Sequence, residues 1–186
     1  MAGALAGQRV VRLKGGDPFI FGRGAEEAAA CDAAGIAWRI IPGVSAGTAA
    51  PALAGIPLTH RGLAHAVTFV TAHDGQGELP PINWGALASL GGTIAIFMGL
   101  SRLDEIALCL IAGGCAPSTP LAVISGASLP GQAVLRTTLG ACTLEVWRAA
   151  LPSPALVVVG DVVALGLAMP DDSVPRVNAA GHQRHA

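Results

Sequence analysis

The sequence predicts an α/β protein built as two units. Three observations carry this. Short apolar, β-branched runs alternate with Ala-rich runs from Arg9 to Val159. The segment 12–24 (Arg-Leu-Lys-Gly-Gly-Asp-Pro-Phe-Ile-Phe-Gly-Arg-Gly) lies between an apolar run, Val10-Val11, and an Ala/Glu-rich run. That order of strand, glycine turn and helix brings backbone close to a ligand at the carboxyl end of a strand. A polar, Gly/Pro-rich stretch from Asp74 to Asn83 then separates two apolar regions. The division expected is 1–74 and 75–169, with 170–186 a polar, disordered tail.

The elements follow in order. Arg9–Leu13 reads as a strand. Gly15-Gly16 removes two Cβ atoms where the chain turns, and Pro18 locks its own φ while keeping Asp17 out of the helical region. Residues 24–34 read as a helix, with Gly35 placed to end it in the left-handed conformation. Ala37–Ile41 is a second strand, stopped by Pro42-Gly43. Ser45 caps a small-residue helix over 46–54, closed by Gly55-Ile56-Pro57. Ala66–Thr71 is a third strand. Trp84–Ser89 is a short helix, Thr93–Met98 a buried strand, and 101–112 a helix with Ser101 as its cap. Leu121–Ser125, Val134–Thr138 and Ala155–Val159 are strands, and 144–150 is a short helix. Fully apolar strands in the first part predict parallel pairing there, and the closer spacing later predicts a mixed sheet.

Composition narrows the function classes. The chain has 186 residues, 52% hydrophobic and 12% charged, with a net charge of −1. A pI near 6.5 gives no electrostatic case for nucleic acid. Mean hydropathy is high at +0.59. The longest apolar stretch, Ala155 to Met169, is nevertheless interrupted by Gly160-Asp161 and Gly166, so no membrane span is expected. No signal peptide is visible. Cys31, Cys109, Cys115 and Cys142 form no C-x-x-C pair and read as free thiols in a reducing cytoplasm.

Several constellations could carry chemistry. The glycine turn lacks the P-loop lysine and the dinucleotide glycine spacing, which leaves a small-ligand loop or a structural turn. Pro42-Gly43-Val44-Ser45-Ala46 is a second strand-to-helix turn, either a ligand contact at a helix N-terminus or an ordinary cap. His60 and His73 have no acidic partner spaced to complete a metal set. Arg12, Arg23 and Arg61 stand near the turns and suit an acidic substrate, or form a solvated face. Gly43-Val-Ser45-Ala-Gly47 fits the nucleophile-elbow pattern of a serine hydrolase. The only late histidines, His182 and His185, fall in the tail.

Taken together the blocks resemble one family. They are residues 10–24, Ile-Pro-Gly-Val-Ser-Ala (41–46), Gly-Ile-Pro-Leu-Thr-His-Arg (55–61), Val-Thr-Phe-Val-Thr-Ala-His (67–73), Phe-Met-Gly-Leu (97–100) and Pro-Ala-Leu-Val-Val-Val-Gly (154–160). Their order and spacing are similar to those of the uroporphyrinogen-III C-methyltransferases among the tetrapyrrole methylases of sirohaem and cobalamin synthesis. The resemblance implies two α/β domains in a homodimer and S-adenosylmethionine as methyl donor, with no metal. It implies uroporphyrinogen III as acceptor, methylated to precorrin-2. Cofactor contacts carried over by motif are Gly15, Gly16, Asp17 and Ile20 from the first turn and Ser45 and Ala46 from the second. Met98 and Gly126 follow from the second domain, with Pro154-Ala155 beside the adenine. Arg12, Arg23, His60 and Arg61 are candidates for the acidic substrate.

The family pattern also places a segment ahead of the 12–18 block, holding the opening strand, its glycine loop and the proton-transfer residues. The N-terminal domain is therefore expected to be incomplete here, with catalytic residues unassigned and the apolar faces of Val10-Val11 and Ile40-Ile41 exposed. Two other readings accompany this one: a non-catalytic remnant or binding module of the same fold, and a serine hydrolase using Ser45.

Overall fold

A computed structural model describes residues 1–75, 77–165 and 167. The expected tail at 170–186, with His182 and His185, lies outside these residues. The order is α1 (Ala2–Leu5), α2 (Gly24–Ala33), α3 (Ala46–Leu53), β1 (Val67–Thr71), α4 (Trp84–Leu90), β2 (Thr93–Phe97), α5 (Leu103–Ala112), β3 (Pro120–Ser125), β4 (Ala133–Thr138), α6 (Cys142–Ala149) and β5 (Ala155–Val159).

The strands form one mixed five-stranded sheet in the order β1-β2-β5-β3-β4. β1 and β2 are parallel, while β5 runs antiparallel to both of its neighbours, β2 and β3. Both faces of the sheet are covered. Trp84, Leu103, Ile106, Leu110 and Cys142 pack with Ile94, Ile96, Val123 and Val157 on one side. Ala50, Ala54, Ile56, Val162 and Val163 pack with Ala122, Ile124, Leu156 and Val158 on the other. Two-sided burial explains why β2, β3 and β5 read as continuous apolar runs rather than alternating ones. Two polar bonds tie β4 and the residue before it to the end of α3: Gln132 donates to the Leu53 carbonyl and Arg136 to the Ala54 carbonyl at 2.8 Å.

Several expectations change. Arg9–Leu13 and Ala37–Ile41 are extended but are not strands. No backbone–backbone hydrogen bond joins residues 9–13 or 37–41 to any described residue. A strand exists only where a neighbour supplies its ladder, so β-branched composition alone cannot make one. The parallel pairing expected in the first part is therefore not formed there. Val11 is 82% and Ile41 65% exposed, as the family pattern implied, while Ile40 is only partly exposed. Val67–Thr71 falls before the 74/75 division, yet it pairs with β2. Ser101 does not cap α5. A 3-10 turn over Leu100–Arg102 moves the helix start, and Arg102 bonds Glu105 at 3.0 Å and the Gly77 carbonyl instead.

The unpaired segments are held by α2 rather than by a sheet. Glu27 accepts from Lys14 Nζ at 2.9 Å and from Arg12 Nε at 3.1 Å, and Trp38 Nε1 donates to Asp32 at 2.7 Å. The Lys14 hydrogen bond, more than the Arg12 bond, holds the Glu27 carboxyl below its ordinary range. A depressed acid pKa contributes above the unfolded value and fades as pH falls through the folded one. The tether is thus intact at neutrality and lost in acid. Carbon-detected NMR should show Glu27 titrating below a free glutamate, and Lys14→Met should move the midpoint back up. An unchanged midpoint in that variant would contradict the tether.

Candidate functional site

The sheet brings its parallel strand ends to one edge. Thr71 pairs with Phe97, Phe97 with Leu156, Leu156 with Ile124, and Ser125 with Ala155. The residues that follow β1, β2 and β3 therefore lie along a single rim: Ala72-His73, Met98 and Gly126. The start of β5 lies between the last two. Gly126 N–H donates to the Pro154 carbonyl at 3.0 Å, which places Pro154-Ala155 on the same rim.

The two glycine turns meet each other and dock near this rim. Asp17 accepts from Phe19 N–H at 2.9 Å with one oxygen and from Gly43 N–H at 3.1 Å with the other. A Cβ on Gly43 would stand 2.4 Å from the Gly16 carbonyl oxygen, so only glycine allows this approach. Gly16 itself has φ 101°, a conformation that glycine adopts freely. Phe97 joins the turns to the sheet: its ring centroid is 4.9 Å from that of Phe21, and its edge fills the space beside Gly47 on α3. Ser45 starts α3 by accepting from Gly47 N–H at 3.2 Å.

A cavity of about 740 Å³ opens at this junction. It is lined by Pro18, Phe19, Phe21, Arg23 and Glu26, by Thr71, His73 and Asp74, and by Met98 on the rim. Among the described residues five non-glycine residues have left-handed backbone, and three of them, Phe21, Arg23 and Met98, line this cavity. Such conformations cost about 1–3 kcal/mol each and concentrate where a ligand site needs them. Among the described residues no group of three His, Cys, Asp or Glu could hold a metal ion, and no helix is long and apolar enough to cross a membrane.

A sequence profile of the tetrapyrrole (corrin/porphyrin) methylases matches residues 1–143. The chain belongs to the tetrapyrrole methylase family. It is 49% identical over 167 residues to a uroporphyrinogen-III C-methyltransferase of a Sinorhizobium species, covering 89% of this chain and 60% of that one. It is 47% identical over 162 residues to a siroheme synthase of Psychrobacter, covering 87% of this chain and 33% of that protein. The uroporphyrin-III C-methyl transferase of Thermus thermophilus, solved with S-adenyl homocysteine, superposes with a TM-score of 0.78 at 34% identity. That match covers 88% of this chain and 71% of the Thermus chain.

Within this tetrapyrrole methylase the candidate residues separate into groups. Gly16, Asp17 and Ser45 sit at the contact between the two turns, and Met98 and Gly126 on the sheet rim. Gly15 has open space where a Cβ would be, Ala46 is exposed, and Ile20 is partly exposed behind the Asp17 turn. Of the four substrate candidates only Arg23 lines the cavity. Arg12 is bound to Glu27, and His60 and Arg61 lie in an exposed turn closed by the His60–Ala64 bridge. Ser45 is buried and its hydroxyl serves as a helix cap, and no histidine is bonded to it among the described residues, so nothing in the geometry favours the hydrolase reading. Thr71, Phe19 and Phe21 carry no site role in the sequence reading, and His73 enters it only as a metal candidate without an acidic partner. The available signal was a Thr-x-His at a strand end, which topology alone turns toward the cavity.

Proposed function

We propose that this chain carries the S-adenosylmethionine site and part of the acceptor site of a uroporphyrinogen-III C-methyltransferase acting in sirohaem or cobalamin synthesis, with precorrin-2 as product. The observation that carries the reading is the lock between the two glycine turns through Asp17 and Gly43, beside the left-handed Met98. The residues fit the cofactor: backbone at Gly15 faces open space, and no side chain blocks approach there. In this reading Gly15, Gly16, Asp17, Ile20, Ser45, Ala46, Met98 and Gly126 bind the cofactor. When bound, the cofactor supplies a methyl group on a sulfonium, so no metal or covalent enzyme intermediate is needed. The chain's task is to hold the acceptor in line with that methyl and exclude water. Phe19, Phe21 and Met98 offer apolar surface to a pyrrole ring, and Arg23 offers a cation to its carboxylate arms.

The two-unit division at 74/75 belongs to this proposal. In its favour, the cavity takes lining from both sides of the division, 18–26 and 71–74 before it and Met98 after it, although β1 pairs across it with β2. A homodimer is also part of it, with Leu144 and Trp147, exposed one turn apart on α6, as an apolar patch suited to an interface. A cytoplasmic location suits the four free thiols, of which Cys142 is buried and its pKa is pushed up by that burial.

Calorimetry with S-adenosylhomocysteine tests the cofactor site. Saturable one-to-one binding is expected, weakened at least about tenfold by Asp17→Ala, since a bond to a charged acceptor contributes about 1.5–3 kcal/mol. Absence of any binding heat would overturn the reading. Labelled S-adenosylmethionine with uroporphyrinogen III then separates catalysis from binding: label in the tetrapyrrole supports transfer, and binding without label selects the non-catalytic reading.

A further inference from the structure

We propose that Gln132 is a positioning residue for the cofactor: its side-chain amide holds the turn over 126–131, and with it Gly126, in the shape that meets the ligand. The inference rests on the proposed function and extends it to a residue outside the motifs that carry the cofactor contacts.

Three observations carry it. The turn joins β3 to β4 and leaves the sheet at the rim, where Gly126 N–H donates to the Pro154 carbonyl at 3.0 Å. Leu129 N–H then donates to the Gly126 carbonyl at 2.9 Å, and Gln132 N–H to the Leu129 carbonyl at 3.0 Å. Ser128, inside this turn, has φ 68°, a left-handed conformation that costs a residue with a side chain free energy. What offsets that cost is Gln132: its Oε1 accepts from Ser128 N–H at 2.9 Å. Among the described residues no other side chain is hydrogen-bonded to the turn.

The other end of the amide is also fixed. Gln132 Nε2 donates to the Leu53 carbonyl at 3.3 Å, one of the last carbonyls of α3, which the helix itself leaves without a partner. Turned over, the amide would set its NH2 against the Ser128 N–H and its oxygen against the Leu53 carbonyl, so only one orientation satisfies both. α3 opens at Ser45-Ala46. One amide therefore joins the turn that carries Gly126 to the helix that carries two other cofactor candidates. Arg136 separates shape from docking. It lies on the same face of the hairpin, four residues on, and donates to the Ala54 carbonyl at 2.8 Å. It thus fastens β4 to α3 without touching the turn.

Calorimetry of the full chain with S-adenosylhomocysteine tests the assignment. Gln132→Met keeps the length of the side chain and removes both bonds, and should weaken binding about fivefold, the scale of one neutral hydrogen bond. Gln132→Glu still accepts from Ser128 N–H but cannot donate to Leu53, and should bind within about twofold of wild type. Arg136→Met should leave the affinity unchanged and lower only the melting temperature. Unchanged affinity in Gln132→Met would overturn the inference. An equal loss in Gln132→Glu would also overturn it, since the bond to α3 rather than the turn would then matter. So would an equal loss in Arg136→Met, which would mark Gln132 as a general support of the hairpin. A wild-type chain that binds and is weakened by Asp17→Ala but not by Gln132→Met would leave the cofactor site standing without this residue. A wild-type chain that gives no binding heat would overturn the proposed function and this assignment together.

Discussion

Gly43→Ala is expected to abolish measurable S-adenosylhomocysteine binding while leaving most of the sheet's stability in place. The added Cβ would stand 2.4 Å from the Gly16 carbonyl oxygen, 2.9 Å from its carbon and 3.3 Å from the Asp17 nitrogen. All three are backbone atoms, so no side chain can rotate away. One turn must move, and the Gly43 N–H bond to Asp17 is lost with it. Overpacking of this kind costs about 1–3 kcal/mol, which here falls on exposed loops rather than on the core. Calorimetry should therefore show no binding heat, while the melting transition shifts by only a few degrees (~1–3 kcal/mol). Binding retained within about twofold would show that the contact between the turns does not form the site.

Leu110→Ala is expected to have the opposite signature. Leu110 is fully buried on α5, packed in the layer against the sheet with Ile96 and Val157. Truncating such a leucine removes its transfer free energy and leaves a cavity, at a cost of about 2–5 kcal/mol. Urea denaturation should register that loss. The fraction that remains folded should bind S-adenosylhomocysteine with wild-type affinity, because α5 covers the sheet away from the cavity beside the two turns. Leu108, two residues away and 68% exposed, is the control: Leu108→Ala should change stability by no more than about 0.5 kcal/mol. A Leu110→Ala loss no larger than that of the control would contradict the placement of α5.

Much of the local structure was legible in the sequence. Ser45 as a cap, Gly35 as a left-handed stop with φ 64° and the 155–159 strand all appear where the residues put them. Asn83, at the start of the helix expected near Trp84, accepts from Ala86 N–H at 2.9 Å. The candidate site was legible in part. Gly16, Asp17 and Ser45 do meet, and Met98 and Gly126 share a rim, yet three of four substrate candidates lie elsewhere. Charge near a glycine turn in sequence does not say which way a side chain faces. Arg12 was taken up by Glu27 on the neighbouring helix, and His60 and Arg61 by a separate turn.

Residue chemistry by itself determined the helices from α2 onward, the Ser45 cap, the buried strands and the membership of the chain in a family of methylases. Those features depend on groups close together in sequence, because a helix or turn satisfies its hydrogen bonds within a few residues. Only the tertiary structure decided that 9–13 and 37–41 are extended without being strands, that β1 pairs with β2, and that β5 lies between β2 and β3. It also decided that Arg23 and His73, far apart in the chain, line one cavity. Sheet pairings and cavity walls join segments far apart in the chain. Their formation depends on what each segment finds opposite it, and no local pattern records that.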